Sequence, residues 1–287
     1  MDLKASYRAC AHVTRREARN FYFAFLSLPR RERFSVYALY AFCREADDIV
    51  DAMGAVEEQR QALDHLRARL NAAGDGQPKS EQDLALEDTI QYFGVDPKDL
   101  DDVLTGMELD LTLHRIESAT ELDRYCYHAA SAVGLATLPI LNGGVPPTDE
   151  MRTAAIDLGL GMQYINILRD VREDLDRDRI YLPAERLRRF EVTIDDLRAG
   201  EITEPIRALL ADHADRAAEI LGRGRQLSAS LPSGGRRCTR LLAELYGRVL
   251  ERIRQANFDV FSSRIGLPRR EKIGLLVGSL IGRGSGA

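Results

Sequence analysis

Two stretches of this 287-residue chain gather side chains suited to holding a cation. One is FCREADDIVDA, residues 42–52, and the other is NILRDVREDLDRDR, residues 166–179. Each spaces two aspartates four residues apart: Asp47 and Asp51 in the first, Asp170 and Asp174 in the second. A helix turns about 100° per residue, so Tyr40, Arg44, Asp47 and Asp51 fall within a sector of about 60°. Asp48 points away from that stripe, and Ala46, Ile49, Val50 and Met53 form the opposite, packing side. By the same spacing Gln163, Asn166, Asp170 and Asp174 share a sector of about 80°. Asp178 extends this second stripe by one turn if the helix persists. Leu160, Tyr164, Ile165, Ile167 and Leu168 supply much of the remaining surface.

Carboxylates at i and i+4 repel one another, by roughly 0.2–0.5 kcal/mol on an exposed helix. Without compensation the cost rises to several kcal/mol per ion once the site is desolvated. Both stretches lie in apolar surroundings, and a divalent cation relieves both penalties. Magnesium takes oxygen ligands, commonly one or two carboxylates together with substrate phosphates. One such pair on a helix is an ordinary solvated face; two, each continued by polar or aromatic partners, fit metal–diphosphate chemistry. Geometry alone leaves both readings open.

The elements that must position these stripes read as helices throughout, without a period-2 strand pattern. The candidates are RRERFSVYALYAFCREADDIVDAM, VEEQRQALDHLRARLNAA, PKDLDDVLTGMELDLTLH, TELDRYCYHAASAVGLATLPILNG, DEMRTAAIDLGLGMQYINILRDVREDL, ITEPIRALLADHADRAAEILGRGRQL and RRCTRLLAELYGRVLERIRQANFDVF. Asp96 before Pro97 reads as an N-cap and first helical residue, and Thr193 caps a short IDDLRAG helix. The breaks GDGQPKS, GGVPPT and LPSGG are short. One all-α domain of about ten helices, spanning 1–287, is expected; carboxylates on facing helices of such a bundle can build a metal site.

Composition narrows the function. Apolar residues make up 45% of the chain and charged residues 30%, as in a globular protein with a sizeable core. A net charge of −5 offers no basic field for nucleic acid. It does not exclude an anionic substrate, because a bound cation inverts the local field. Cys10, Cys43, Cys126 and Cys238 form no CxxC pair and read as reduced thiols of a cytoplasmic protein. The scattered histidines contain no HExxH, against a zinc site. The N-terminus lacks a signal-peptide core and no segment reaches about 18 uninterrupted apolar residues. The C-terminal IGLLVGSLIG, residues 273–282, is too short to span a bilayer. A packed helix is the expected reading there, with peripheral membrane contact as the other.

The chain resembles the squalene/phytoene synthase family, the head-to-head prenyl synthases, from about residue 16 to 260. ARNFYFAFLSLP, YALYAFCREADDIVD, GMELDL, YCYHAASAVG, QYINILRDVREDLDRDRIYLP and LERIRQANFDVF carry the resemblance, in the family's order and spacing. It implies an all-α isoprenoid-synthase bundle around a central apolar cavity. Asp47, Asp51, Asp170 and Asp174 match the family's magnesium positions. Tyr40, Arg44, Tyr125, Asn166 and Tyr246 match catalytic positions; Gln163, Arg169 and Arg179 match substrate-binding ones. Arg19 and Asn20 lie near the diphosphate in the resemblance, but depart there from the Ser/Lys-containing pattern. Arg179 and Tyr181 read either as part of a closing flap or as an exposed helix end.

The implied chemistry joins two prenyl diphosphates. A metal stabilises the leaving diphosphate. The allylic cation must be kept from water, and aromatic faces can stabilise it without reacting. Tyr40, Tyr125, Tyr246, Phe21, Phe23 and Phe25 are candidates for that wall, each with core packing as the plainer reading. The stretches FCREADDIVD and YCYHAASAVG resemble bacterial squalene-branch members. Two farnesyl diphosphates giving presqualene diphosphate or squalene is therefore the leading expectation, with NADPH only if squalene is released. Phytoene synthesis from two geranylgeranyl diphosphates is the alternative, and a non-catalytic helical scaffold with acidic binding faces the reading from another class.

Overall fold

The computed structural model describes residues 2–52 and 54–281, with only the backbone for Arg19 and Asn20. Met53 and the side chains of those two diphosphate candidates thus lie outside the described residues. The described chain is helical throughout, its one β feature being an isolated parallel bridge between Arg115 and Ile180. Among the described residues ten helices have ten or more residues, in line with the number expected, although the first and fourth of them lie outside the candidate stretches: α1 (Leu3–Glu17), α3 (Arg30–Asp51), α4 (Val56–Gly74), α5 (Leu84–Phe93), α6 (Pro97–Asp110), α8 (Ala132–Leu141), α9 (Asp149–Arg169), α13 (Glu204–Gly224), α15 (Ser233–Gln255) and α16 (Arg269–Leu280). Short helices connect them: α2 (Arg19–Phe25), α7 (Ala119–Cys126), α10 (Val171–Asp176), α11 (Ala184–Arg189), α12 (Ile194–Ala199) and α14 (Leu227–Ser230).

Local chemistry sets the helix starts. The Asp96 carboxylate accepts from the Lys98 N–H at 2.9 Å with Pro97 in the first turn, as its sequence predicts. Thr193 and Asp196 form a reciprocal capping box at the start of α12. Where the sequence predicts unbroken helices, the structure makes two departures. Residues 119–141 are interrupted by a π-turn at Tyr127–Ser131. Residues 149–176 bend at Asp170, which leaves helical geometry (φ −101°, ψ 14°) while its carbonyl still accepts from the Asp174 N–H at 2.9 Å. α10 ends at Asp176, so Asp178 does not continue the acidic stripe. It sits at φ 55° and binds Arg115 and Arg198, both at 2.9 Å.

Two helices organise the bundle. α9 packs against α8, α13 and α15; α3 packs against α1, α4, α5 and α6, and α8 touches both. α8 is almost wholly buried, so the two acid-bearing helices are set by contacts with one apolar rod. The α9–α13 contact is close because glycines form it. A Cβ on Gly161 would lie 2.7 Å from the Leu221 Cα, and one on Gly224 would lie 2.4 Å from the Leu158 backbone N. Backbone cannot yield as a flexible side chain can, so the approach of α13 fixes the height of α9.

The apolar run beginning at residue 273 forms a packed helix, as the sequence favours, though only one side of it is covered: α16 contacts α15 and α2 and has no buried residue. Its Leu275 and Leu276 rest against the core, while Ile273 and Val277 face outward.

Gly161→Ala should lower the melting temperature by several degrees, since overpacking costs about 1–3 kcal/mol. Gly222→Ala, one turn-end away on α13 with nothing within 4 Å of its would-be Cβ, should be neutral or stabilising. Equal melting temperatures for the two variants, read by circular dichroism, would remove the close-contact explanation.

Candidate active site

The first acidic stripe occupies the C-terminal end of α3, an unfavourable place for anions. A helix C-terminus carries about −0.5 charge, and the last turn of α3 contains no basic residue. Arg44 provides the compensation from one turn back. Its Nη1 forms an ion pair with Asp47 Oδ2 at 2.8 Å, and its Nη2 donates to Asp48 Oδ1. This corrects the ideal wheel: the long guanidinium reaches across the helix surface and ties Asp48 to the stripe. Burial pushes the Asp47 carboxyl up, and Asp51 and Asp48 add to this against the pull of Arg44. Gln59 from α4 closes the helix end, its Nε2 donating to the carbonyls of Ile49 (3.2 Å), Val50 (2.9 Å) and Ala52 (2.9 Å).

The second stripe sits where α9 gives way to α10. Asn166 Nδ2 donates to Gln163 Oε1 at 3.1 Å, so the predicted amide pair forms. Asn166 Oδ1 is buried without a hydrogen-bond acceptor role filled. Asp170 is held by two arginines. Arg169 donates from Nε at 2.8 Å and also from Nη2, while Arg264 approaches Oδ1 at 3.0 Å. Burial pushes the Asp170 carboxyl up, but Arg169, a hydrogen bond with Glu173 and Arg264 outweigh it and hold the group low. Asp174 has the opposite balance. Burial and the neighbouring Asp170 push it up to about 7, with Arg179 and Arg177 pulling back.

Arginines join the two stripes. Arg177, just past α10, lies 3.6 Å from Asp51. Arg179 Nη2 donates to the backbone carbonyl of Asp110, the last residue of α6, at 3.3 Å, and its charge also acts on Asp174 and Asp51. Asp51, Asp110, Arg177 and Arg179 line one cavity of about 440 Å³ with Val50, Gln59, Leu111 and His114. Behind it, Tyr125 and Tyr181 stack at 4.7 Å and 18° between planes, and the Tyr181 hydroxyl donates to Asp110 Oδ1 at 3.3 Å. Both rings are buried. Tyr181 is therefore no exposed helix end, and Ile180 N–H pairs with the His114 carbonyl at 2.9 Å.

Aromatic residues continue inward beside the second stripe. Tyr246 of α15 is buried with its ring 6.1 Å from Phe21, which in turn stacks on Phe25 at 6.0 Å. Burial raises the Tyr246 phenol, partly offset by Arg169 and a hydrogen bond with Asn166. Tyr40 packs at the edge of the core, and burial raises its phenol to about 12 against the pull of Arg44.

Comparison with known proteins fits this arrangement. The squalene/phytoene synthase family pattern matches residues 14–271. The chain belongs to the squalene/phytoene synthase family. It is 34% identical to a 15-cis-phytoene synthase of Synechocystis sp. over 285 residues, covering 95% of this chain and 83% of the relative. It is also 34% identical to a chloroplastic phytoene synthase of Daucus carota over 276 residues, covering 94% of this chain and 69% of the relative. A solved dehydrosqualene synthase superposes with a TM-score of 0.89 at 29% identity, over 98% of this chain and 97% of its own. A squalene synthase from Alicyclobacillus acidocaldarius superposes with a TM-score of 0.83 at 28% identity, over 89% and 95%. The protein is accordingly a prenyltransferase of the head-to-head condensing type with the all-α isoprenoid-synthase fold. The scaffold reading is set aside.

Within this family member the structure brings together Tyr40, Arg44, Asp47 and Asp51 on one side, and Gln163, Asn166, Arg169, Asp170, Asp174 and Tyr246 on the other. Tyr125 and Arg179 lie between them. Sequence reasoning passed over Asp110, although it stands inside the quoted GMELDL stretch. Burial pushes Asp110 up to about 6, with Arg179 and hydrogen bonds from Tyr125 and Tyr181 pulling it back. Arg177, Arg264 and Gln59 were also missed. They meet the aspartates only through tertiary contacts.

Among the described residues no three His, Cys, Asp or Glu side chains are grouped to hold one ion. The donor set nevertheless suits a divalent cation shared with a diphosphate. Burial and the acids of its own stripe push up each of Asp47 and Asp174, and Asn166 Oδ1 is a spare buried oxygen. Asp170 fits least well, since Arg169 and Arg264 already occupy it.

These shifts give a sign to pH dependence. An unfolded aspartate titrates near ~3.9, whereas folded Asp174 titrates near 7. Its contribution to the stability of the metal-free protein is therefore complete below about pH 4 and lost as pH rises through about 7. Asp110 adds in the same direction up to about 6. The melting temperature of metal-free protein should fall between pH 5 and pH 8, and Asp174→Asn should flatten that fall. Magnesium at pH 8 should restore more in the wild type than in the variant. Parallel melting-temperature profiles for the two proteins would contradict this assignment.

Proposed function

We propose that this enzyme condenses two geranylgeranyl diphosphates head to head, through a cyclopropyl diphosphate, to phytoene, with magnesium as the divalent ion. The observation that carries the chemistry is the charged mouth of Asp47, Asp51, Asp110 and Asp174 directly in front of the buried Tyr125–Tyr181 pair. A substrate with an anionic head and an apolar tail needs that juxtaposition. The preference for the twenty-carbon substrate rests on the curated relatives, which are named phytoene synthases across nearly the whole chain. This reverses the squalene-branch expectation from FCREADDIVD and YCYHAASAVG. Those short stretches surround the diphosphate chemistry, which both branches share, so they say little about tail length.

Magnesium held by Asp47, Asp51 and Asp174, with Asn166 in reach of the second stripe, would neutralise the diphosphate as it leaves. The chain's own residues do the rest. Arg44, Arg177 and Arg179 present guanidinium groups at the mouth, suited to a diphosphate. The stacked Tyr125 and Tyr181 rings offer π faces to an allylic cation. Burial raises both phenols, so they stay protonated and donate hydrogen bonds toward Asp110 instead of acting as bases. Phe21, Phe25 and Tyr246 extend a wall that keeps water from the cation. The cyclopropane closes with loss of a proton, which the released diphosphate can accept. The second diphosphate then leaves, the cation rearranges as the ring opens, and loss of a second proton, again to diphosphate, gives phytoene without a hydride, so NADPH is not required on this reading.

The fifteen-carbon reaction is the second reading, favoured by the superposition on a dehydrosqualene synthase. Incubating the purified protein with farnesyl or geranylgeranyl diphosphate, with and without NADPH, and analysing the lipid extract by mass spectrometry separates the two. Phytoene formed from geranylgeranyl diphosphate in magnesium buffer, indifferent to NADPH, is the expected result. Product from farnesyl diphosphate alone would overturn the substrate assignment. In the same assay Asp47→Asn and Asp174→Asn should each reduce turnover by orders of magnitude with helicity retained, and Asp48→Asn by much less.

A further inference from the structure

The outward side of α16 has a composition unlike the rest of the surface. Ile273, Val277, Leu280 and Ile281 are 44, 45, 55 and 67% exposed. The other large exposed apolar residues, Leu3, Val56, Tyr92 and Val145, lie on separate elements. At about 100° per residue the four share a sector of about 140° with Gly274, Arg269 and Arg270, and with no acidic residue. The helix's one acid, Glu271, is turned to α15, where Arg248 and Arg252 hold it at 3.2 and 2.5 Å. The inward side is satisfied by Leu275 and Leu276 against the core. α16 thus presents an apolar stripe with a basic first turn.

We propose that this face docks on an anionic lipid bilayer. Apolar side chains enter the headgroup–acyl boundary of a membrane, and arginines at the edge of the stripe meet its phosphates. The chain carries −5 overall, so attraction to an anionic surface has to come from a local basic cluster, and Arg269 and Arg270 stand exposed at the stripe. A second copy of the chain is a poorer occupant. Stable interfaces use about 20–30 residues a side, far beyond four side chains on one helix. Position adds a reason. α16 packs on α2, whose Phe21 lies against Tyr246 of the site. The docked face is one helix away from the aromatic wall, where a membrane-dissolved prenyl tail would have to arrive. This last link rests on the prenyl-substrate reading; the binding itself does not.

The test is flotation of the full chain with phosphatidylcholine vesicles, with and without phosphatidylglycerol. The protein should float with the phosphatidylglycerol vesicles. Arg269→Ser with Arg270→Ser should lower its partition coefficient roughly thirtyfold at low salt. Val277→Ser with Leu280→Ser should weaken binding at both low and high salt. Turnover of substrate delivered in detergent should be unchanged in both variants, which reports an intact fold and site. No flotation, or flotation equal in wild type and variants, overturns the proposal. So does a concentration-dependent dimer, seen by sedimentation velocity without lipid, that Val277→Ser with Leu280→Ser abolishes. Loss of turnover in the wild type with flotation intact would instead count against the prenyl reading alone.

Gln59 carries an independent inference. The last carbonyls of a helix lack intrahelical partners, and the end of α3 also bears three aspartates at its negative pole. One amide nitrogen takes three of the carbonyls there. We infer that Gln59 is a positioning residue for Asp51, holding the helix end against its own charge so that the carboxylate keeps one place at the mouth. This rests on the metal reading of Asp51. Gln59→Glu, which keeps the shape but loses the donor, and Gln59→Ala should raise the magnesium concentration for half-maximal rate about tenfold or more. The rise in melting temperature that magnesium gives the substrate-free wild type should need a correspondingly higher magnesium concentration in both variants. An unchanged magnesium dependence in both variants overturns the inference. A wild-type rate indifferent to divalent cations overturns the metal reading and this inference with it.

Discussion

The structure turns on the meeting of negative charge at helix ends. α3 finishes at Asp51, α6 at Asp110, and α9 at Arg169 with Asp170 as its cap. Each end already carries the negative pole of a helix dipole, and each adds carboxylates to it. Left alone, these groups repel by Coulomb interaction in a partly desolvated mouth. The protein meets this with guanidinium groups: Arg44 on α3, Arg169 beside Asp170, Arg264 from beyond α15, and Arg177 and Arg179 between the stripes. The balance is uneven. Asp170 is held low by its two arginines, while Asp174 and Asp110 stay high and receptive to a cation.

The rest of the bundle serves to hold those ends in place. The buried rod of α8 packs against both α3 and α9. Glycines let α13 press directly on α9, and Gln59 fastens the end of α3. Each of these contacts sets the height or direction of a carboxylate. An aspartate displaced by one helical turn would move about 5.4 Å. That is more than a shared metal–diphosphate arrangement tolerates, since reacting groups must be placed to within about an ångström.

Charge at the mouth and apolar burial behind it also account for the kind of substrate. The Tyr125–Tyr181 stack lies between the polar cavity and the core, with Asp110 hydrogen bonded at its edge. A diphosphate fits the first environment and a polyprenyl tail the second. The boundary between them is where an allylic cation would form, beside rings that cannot trap it. The exposed apolar face of α16 extends the same logic outward, toward the phase in which such tails dissolve.

Much of this was legible in the residues. The 3.6-residue period called for helices, and the spacing of Asp47 with Asp51, and of Asp170 with Asp174, placed each pair on one face. The N-caps at Asp96 and Thr193 followed from side chains that bond only to their own neighbours. Local periodicity had no means to register the bend at Asp170, the π-turn at Tyr127–Ser131, or Arg44 reaching Asp48 across the helix. It also favoured burial for a C-terminal run whose apolar residues lie on both faces of α16, and only packing decided which face remained outside. Asp110, Arg177, Arg264 and Gln59 became site residues by proximity alone: Arg264 lies ninety-four positions from Asp170 and 3.0 Å away. Sequence by itself determined the helices and the faces their acids share, because those depend on neighbours within a few turns. Which helix ends meet, and which arginine answers which aspartate, only the tertiary structure decided, because charge acts through space and takes no account of distance along the chain.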